Sequence, residues 1–277
     1  MQAPQPILAT ELFPALNSKL IELLTSLAPE EWARPTVCAG WTVKDVASHL
    51  LDTTLRRLSS QRDGYRPPAN VDLSAPQALV AYINRLNGDW VQATRNLSPK
   101  ILLQLLEQTG EDLVCLFRSL DPQGPAMIGV SWAGEETSLN WFDIAREYTE
   151  KWHHQQQIRD ATHRPAITSR EFLYPVLDTF LRALPYAYGS VEAPEGTAWE
   201  VAIEGDAGGS WFLRKRAQRW ELWLDLPNAS ARVSLPADIA WRLFTKGITK
   251  EDARRYLKLQ GPPALGENLL NMICIVG

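Results

Sequence analysis

The chain has 277 residues, of which 45% are hydrophobic and 22% are charged. This balance excludes intrinsic disorder as the dominant state, because it supplies ample apolar surface to bury. Lysine and arginine total 28 against 32 aspartate and glutamate residues, so the net charge is 28 − 32 = −4. That charge argues against a general nucleic-acid or anionic-membrane binder. The length favours two domains over one.

Cysteine usage and the first residues of the chain bear on its compartment. Cys38, Cys115 and Cys274 are scattered singly, which argues against a cysteine-built zinc site and is typical of a reducing cytoplasm. The first six residues lack a basic segment followed by an apolar run, so no signal peptide is expected. No apolar stretch reaches the ~20 residues of a membrane span. We therefore expect a cytoplasmic protein with no membrane partner.

The first two predicted elements are helices. Leucines recur at helical spacing over residues 7–27, and Pro14 is expected to start or kink that helix. Thr42 and Asp45 form a capping-box pattern, which opens a second helix that runs to about Arg57.

Four more helices are predicted along the next part of the chain. Ser74 with Gln77 is expected to cap the third, and Ser98 ahead of Pro99 the fourth. The helices cover about 74–96, 98–120, 141–161 and 168–188, and Thr168 is the expected cap of the last. A long loop, 121–137, separates the fourth from the fifth.

The hydrophobic pattern changes its period after Tyr188. Apolar and polar residues alternate, which predicts strands at about 199–203, 211–213, 220–226 and 231–235. A helix from Pro236 to Phe244 is expected to end at Gly247 as its C-cap glycine. Shorter elements follow: a helix capped by Thr249, a strand at 257–259 and a helix at 267–275.

These elements predict an α+β protein of two domains. Residues 1–165 are expected to form a helical bundle, and residues 166–277 a smaller α/β domain. The boundary falls in the polar turn at His163, Arg164 and Pro165.

Three of the four histidines, His49, His153 and His154, lie on predicted helices that also carry carboxylates. Glu150 and His154 are four residues apart and share one helix face. His49 lies on the second helix, with Asp45 and Asp52 about one turn to either side. If these helices pack antiparallel in a bundle, His49 meets Glu150 and His154. Two imidazoles and a carboxylate suit Zn²⁺ and leave one position open, as a catalytic metal requires.

Simpler interpretations compete with this site. A glutamate four residues before a histidine also arises by chance on solvated helices, and His49 alone is compatible with an ordinary hydrogen-bonded histidine. The basic run Arg214–Arg216 with Arg219, flanked by tryptophans, suggests a nucleic-acid strip. A solvated hairpin face explains that run better. Cys38, close to the second helix, is interpreted as structural rather than as a thiol partner.

Three segments resemble a known family. Residues 32–50, with Gly40-Trp41-Thr42-Val43 ahead of His49, resemble the entry motif of the DinB-like superfamily, closest to mycothiol-dependent maleylpyruvate isomerases. Residues 150–165 are similar to that family's Glu-x-x-x-His motif and its ending; this register selects His154 over His153 and Glu150 over Glu147. Residues 235–243 resemble the family's sterol-carrier-protein-like second domain.

The resemblance implies a site and an activity. His49, Glu150 and His154 would bind a divalent metal, zinc first, with nickel, manganese and iron as alternatives. A low-molecular-weight thiol (mycothiol, bacillithiol or glutathione) would take the open position as the thiolate. Its addition to maleylpyruvate leaves a single bond that rotates, and elimination then gives the trans isomer. The implied enzyme is an isomerase or a thiol S-transferase acting on a small electrophilic or acidic substrate.

The resemblance also implies roles for other residues. Asp45 or Asp52 would orient a ligand imidazole. Lys246 stands where many members carry arginine; it keeps the charge that would meet a substrate carboxylate but lacks the bidentate fork. Gln157 stands where members often carry aspartate.

Two other classes of function remain open from the sequence. One is a non-catalytic, divalent-metal-binding or stress-related DinB-like module, and the other is a structural protein without metal. The expected partners are a small thiol and a small acidic substrate, with no nucleic acid and no membrane. The oligomeric state is left open.

Overall fold

The computed structural model describes residues 2–65 and 76–275, which adopt an α+β fold. They divide into two compact units. The helical unit comprises Ala9–Met127 and Glu150–Ala166, and the sheet unit comprises Ile128–Thr149, Ile167–Ile275 and the N-terminal residues up to Leu8. The division of the chain into domains at residue 165 stays a prediction. Within the described ranges, no helix has the length and apolar character that a bilayer crossing requires.

The helical unit is built from α1 (Phe13–Thr25), α2 (Val43–Arg57), α3 (Pro76–Ala93), α4 (Pro99–Ser119) and the second half of α5 (Asn140–Thr162). Helix α2 packs against α3 and α4, and α1 packs against α4. Apolar residues from four of these helices form one core: Leu20, Leu24, Val46, Leu50, Leu51, Leu102, Leu106 and Ile158.

Helix α2 begins where the sequence predicts. The Thr42 hydroxyl accepts a hydrogen bond from the Asp45 amide, and the Asp45 carboxylate accepts one from the Thr42 amide at 2.9 Å. Val46 and Leu50 are buried in the core. His49 lies three residues after Val46, on the same inward face, and is itself buried. The cap and the apolar stripe therefore aim this histidine into the helical unit.

The other predicted caps have different outcomes. Ser98 accepts a hydrogen bond from the Ile101 amide and begins α4, as predicted. The predicted cap Ser74 lies outside the described residues.

The predicted helix 168–188 is two helices, α6 (Arg170–Leu181) and α7 (Leu184–Ala187), because the chain turns after Leu181 and Pro185 enters the first turn of α7. The residue that precedes α6 is Ser169 rather than Thr168.

The sheet unit contains a five-stranded mixed sheet in the order β3-β2-β1-β4-β5. Its strands are β1 (Ala198–Glu204), β2 (Gly209–Arg216), β3 (Arg219–Trp223), β4 (Ala231–Pro236) and β5 (Lys258–Gln260). Strands β1 and β4 are parallel, with Val201 opposite Val233, and the other pairs are antiparallel. The predicted strands are therefore present, although β3 ends earlier than expected.

Three helices follow the strands of the sheet unit: α8 (Ala237–Phe244), α9 (Lys250–Arg254) and α10 (Pro263–Leu270). The last helix was predicted at 267–275, which is wrong. It begins four residues earlier because Pro263 is well placed in a first turn.

The buried carboxylate of Asp178 joins α6 to the sheet. The Asp178 carboxylate accepts hydrogen bonds from Arg182 Nη2 and from the Trp211 indole, each at 2.8 Å. The side chains of Asp178 and Arg182 are each 9% exposed.

The predicted C-cap glycine of α8 is displaced by one residue. Lys246, not Gly247, adopts the left-handed conformation, with φ 59°. The Gly247 amide donates to the Arg242 carbonyl at 2.6 Å and the Lys246 amide to the Leu243 carbonyl at 3.1 Å. These two bonds define a Schellman ending with lysine at the position that glycine usually takes.

The sequence suggested that the basic residues of the hairpin lie on a solvated face. The structure shows that only some of them do. Lys215 is buried; its Nζ donates to the Val191 carbonyl at 3.2 Å and lies over the Trp220 ring. Arg216 and Arg219 remain exposed and lie beside Glu221.

Candidate metal site

Helices α2 and α5 carry the predicted ligands, and both are anchored near them. Lys151, on α5, is buried, and its Nζ donates to the Thr54 hydroxyl of α2 at 2.7 Å. Gln155 donates to the Leu16 carbonyl of α1 at 3.1 Å. These bonds fix the part of α5 that presents Glu150 and His154 within the helical unit.

His154 neighbours both of the other predicted ligands, His49 and Glu150. The rings of His49 and His154 meet edge to face, with centroids 4.9 Å apart. His154 Nε2 lies 3.8 Å from Glu150 Oε2. Trp41 covers His49, with ring centroids 5.1 Å apart. Two imidazoles and a carboxylate from two helices therefore share one small region.

His153 lies closer to this region than the sequence register suggested. Its Nδ1 is 4.0 Å from Glu150 Oε2, and ligand atoms of Glu150, His153 and His154 lie within 4.8 Å of one another. The third and fourth residues after a helical position both neighbour it, so Glu150 reaches both histidines. The preference for His154 over His153 as the ligand stays a prediction.

Both His49 and His154 are neutral imidazoles. Burial lowers the pKa of His154 to about 3, and a positive charge at His153 acts in the same direction. Burial also holds the pKa of His49 well below its ordinary value, and charges at His154 and Arg56 add to this. The neutral ring is the form that binds a metal ion.

Gln157 and Cys38 form a polar chain behind His154. His154 Nδ1 lies 2.8 Å from Gln157 Oε1, and the Cys38 thiol donates to the same oxygen at 3.1 Å. Burial raises the pKa of Cys38, so its thiol keeps its proton. These hydrogen bonds between Cys38, Gln157 and His154 were not predicted from the sequence. The three-residue spacing of His154 and Gln157, which places them on one helix face, was the available signal.

The two aspartates proposed as imidazole partners have other partners. Asp45 belongs to the cap of α2. Asp52 pairs with Arg56 Nη2 at 2.6 Å, and that atom also lies 2.6 Å from Asn87 Oδ1. Burial raises the pKa of Asp52 to about 6, against the charge of Arg56. A role for Asp52 beside the ligands stays a prediction.

Lys246 belongs to the sheet unit. It lines a cavity of about 360 Å³ with Lys250 and Asn271. The contact of Lys246 with a substrate carboxylate stays a prediction.

The residues present fit a divalent ion. Two neutral imidazoles and a carboxylate are a donor set that zinc accepts. His49 Nδ1 is buried and has no hydrogen-bond partner among residues 2–65 and 76–275. A buried imidazole nitrogen of this kind costs free energy unless a proton donor, an acceptor or a cation meets it.

The fold and these residues place the chain in a known class. Residues 13–159, more than half of the chain, match the family described as mycothiol maleylpyruvate isomerase N-terminal domain. The chain therefore belongs to this family, as the sequence motifs indicated. The match contains His49, Glu150 and His154.

Two solved structures share the fold. One is the crystal structure of the mycothiol-dependent maleylpyruvate isomerase, at 15% identity and TM-score 0.51, covering 84% of this chain and 86% of that one. The other is a histidine-to-alanine mutant of the mycothiol-dependent maleylpyruvate isomerase, at 14% identity and TM-score 0.52, covering 91% and 93%. They confirm the predicted α+β fold over most of the chain. No curated protein gives a significant match.

Proposed function

We propose that this protein is a metal-dependent enzyme that uses a low-molecular-weight thiol to isomerise a small acidic substrate of the maleylpyruvate type. The observation that carries the proposal is the meeting of neutral His49 and His154 beside Glu150 in the helical unit. Family membership supports the thiol and the substrate class.

His49, Glu150 and His154 would hold the ion. Zinc fits this donor set best, and nickel, manganese and iron are alternatives. When bound, the ion would supply positive charge that keeps a thiol deprotonated near neutral pH. Mycothiol is the first choice of thiol, with bacillithiol and glutathione next.

The chain's own residues prepare this chemistry. Burial keeps both imidazoles neutral, so neither must lose a proton before it binds the ion. Glu150 contributes one negative charge. The Cys38 thiol stays protonated because burial raises its pKa, so it does not compete with the small thiol.

Two further roles are part of the proposal. Lys246 would bind the carboxylate of the substrate, and its charge supports that role. Asp52 would orient a ligand imidazole. A thiol S-transferase acting on a related electrophile is the second reaction considered. We place the protein in the cytoplasm, in line with its three free cysteines.

A cobalt-substituted protein tests the proposal directly. Mycothiol, bacillithiol and glutathione are added one at a time, and the visible spectrum is recorded. The correct thiol should give a sulfur-to-cobalt charge-transfer band and should accelerate isomerisation of a maleyl-type acid. Lys246→Ala should raise the substrate concentration needed and leave the metal content unchanged.

The same experiment separates the alternative function. A non-catalytic metal-binding module would bind cobalt, yet no thiol would alter its spectrum or produce turnover. That result would contradict the proposed enzyme and support the non-catalytic metal-binding module.

A further inference from the structure

Two side chains lie within hydrogen-bond distance of Gln157 Oε1. His154 Nδ1 approaches it at 2.8 Å and the Cys38 thiol at 3.1 Å. Gln157 is 5% exposed, so water has little access to this amide. The three residues form one connected chain that ends at the imidazole of His154.

The surroundings of His154 favour one tautomer. With the proton on Nδ1, the ring donates to Gln157 Oε1. With the proton on Nε2, the facing oxygen is Glu150 Oε2 at 3.8 Å, which is too long for a hydrogen bond. Without a proton on Nδ1, the lone pairs of Nδ1 and Gln157 Oε1 would face each other across 2.8 Å, which is unfavourable. The Nδ1–H tautomer therefore prevails, and the Nε2 lone pair points toward Glu150.

Cys38 stabilises the orientation of the Gln157 side-chain amide that selects the Nδ1–H tautomer of His154. A reversed Gln157 amide would direct its NH₂ group at Nδ1 and force the proton onto Nε2. The protonated Cys38 thiol donates to Oε1 and so favours the orientation in which this oxygen also faces the ring. Both donors converge on one oxygen, so the thiol and the imidazole reinforce each other.

We propose that Gln157 is a positioning residue that holds His154 in its Nδ1–H tautomer, with Nε2 free to ligate, and that Cys38 holds the Gln157 amide in place. Its effect on metal affinity rests on the proposed function, because it takes His154 as a ligand. The tautomer itself is a property of the metal-free protein.

The first test uses metal-free, full-length protein with ¹⁵N-labelled histidine. Nitrogen NMR distinguishes a protonated from an unprotonated ring nitrogen. The wild type should show His154 protonated at Nδ1. Gln157→Leu should lose that preference, and Gln157→Glu should keep it. Cys38→Ala should weaken it, whereas Cys115→Ala, which removes an exposed thiol on α4, should not.

The second test is zinc affinity by competition with a chelator. Gln157→Leu should bind zinc about 10- to 100-fold more weakly, the usual effect of losing a partner that orients a ligand. Gln157→Glu should bind close to the wild-type value. Thermal unfolding of each variant shows that it is folded.

The outcomes separate the two proposals. An unchanged His154 tautomer and zinc affinity in Gln157→Leu would overturn the role of Gln157. A wild type with the expected tautomer but no zinc binding would support the hydrogen-bond chain and overturn the metal-dependent function.

Discussion

His49 and His154 meet edge to face, with ring centroids 4.9 Å apart, although 105 residues (154 − 49) separate them in the chain. One comes from α2 and the other from α5. Because both rings are neutral, the pair combines electron-pair donors without the repulsion of two charged imidazoles. This relationship has consequences for stability as well as for metal binding.

The metal-free protein should lose stability as the pH falls. Unfolded His49 and His154 take up protons below about pH 6.5, whereas the folded chain resists this because their folded pKa values are depressed. The free energy of unfolding should therefore decrease from pH 6.5 downward, by about 2 kcal/mol at pH 5 from His154, and His49 should add to this loss. Asp52 opposes this in part, since its raised pKa lets the fold take up a proton first.

Urea unfolding at pH 7 and pH 5 measures this effect. The double variant His49→Gln/His154→Gln should show a much flatter pH dependence. Equal unfolding free energies for the wild type at the two pH values would contradict the assignment of neutral imidazoles.

Thr42→Ala should destabilise α2, which carries His49. The substitution removes the hydroxyl that accepts from the Asp45 amide. The expected loss is about 1 kcal/mol in the free energy of unfolding, the usual effect of losing an N-cap side chain. Thr42→Ser keeps the hydroxyl and is the matched control. A Thr42→Ala variant as stable as Thr42→Ser would show that the cap contributes little.

Much of the helical unit was predictable because its signals are local. The cap at Thr42 and the apolar stripe of α2 are each set by residues within a few turns of one another. The same patterns placed Glu150 and His154 on one face of α5. The pairing with His49 depended on the assumption that the two helices pack together in a bundle, which no local pattern encodes, and the family resemblance supported it.

Other features depend on contacts between distant segments. Cys38 contacts Gln157 across 119 positions of the chain, and no local sequence pattern near either residue predicts that contact. The predicted helix 168–188 is divided in two, and Lys246 rather than Gly247 is left-handed. Both features depend on where each helix ends in the folded chain. Local pattern alone identified a glycine ending at Gly247, one residue too late.

Lys246→Gly should stabilise the sheet unit relative to Lys246→Ala. Both substitutions remove the charge, but only glycine adopts the left-handed conformation of this position without steric cost. The expected difference in unfolding free energy is about 1 kcal/mol. Thermal unfolding of the two variants measures it, and equal midpoints would argue against strain at Lys246.

Asp178→Ala should strongly destabilise the protein. It leaves the buried Arg182 without its carboxylate partner and the Trp211 indole without its acceptor. A loss of about 3 kcal/mol is expected for breaking a buried pair. Glu221→Ala, which removes the partner of exposed Arg219, is the control and should change stability by less than about 0.5 kcal/mol. Similar losses for the two variants would contradict the buried pair.

Metal analysis of purified histidine variants tests the central claim most directly. The wild type should bind one divalent ion per chain, and His49→Ala and His154→Ala should each lose it, because each removes one of three protein ligands. His153→Ala and the exposed-site control His163→Ala should retain it. A wild type without metal, or loss in His153→Ala with retention in His154→Ala, would contradict the proposed site.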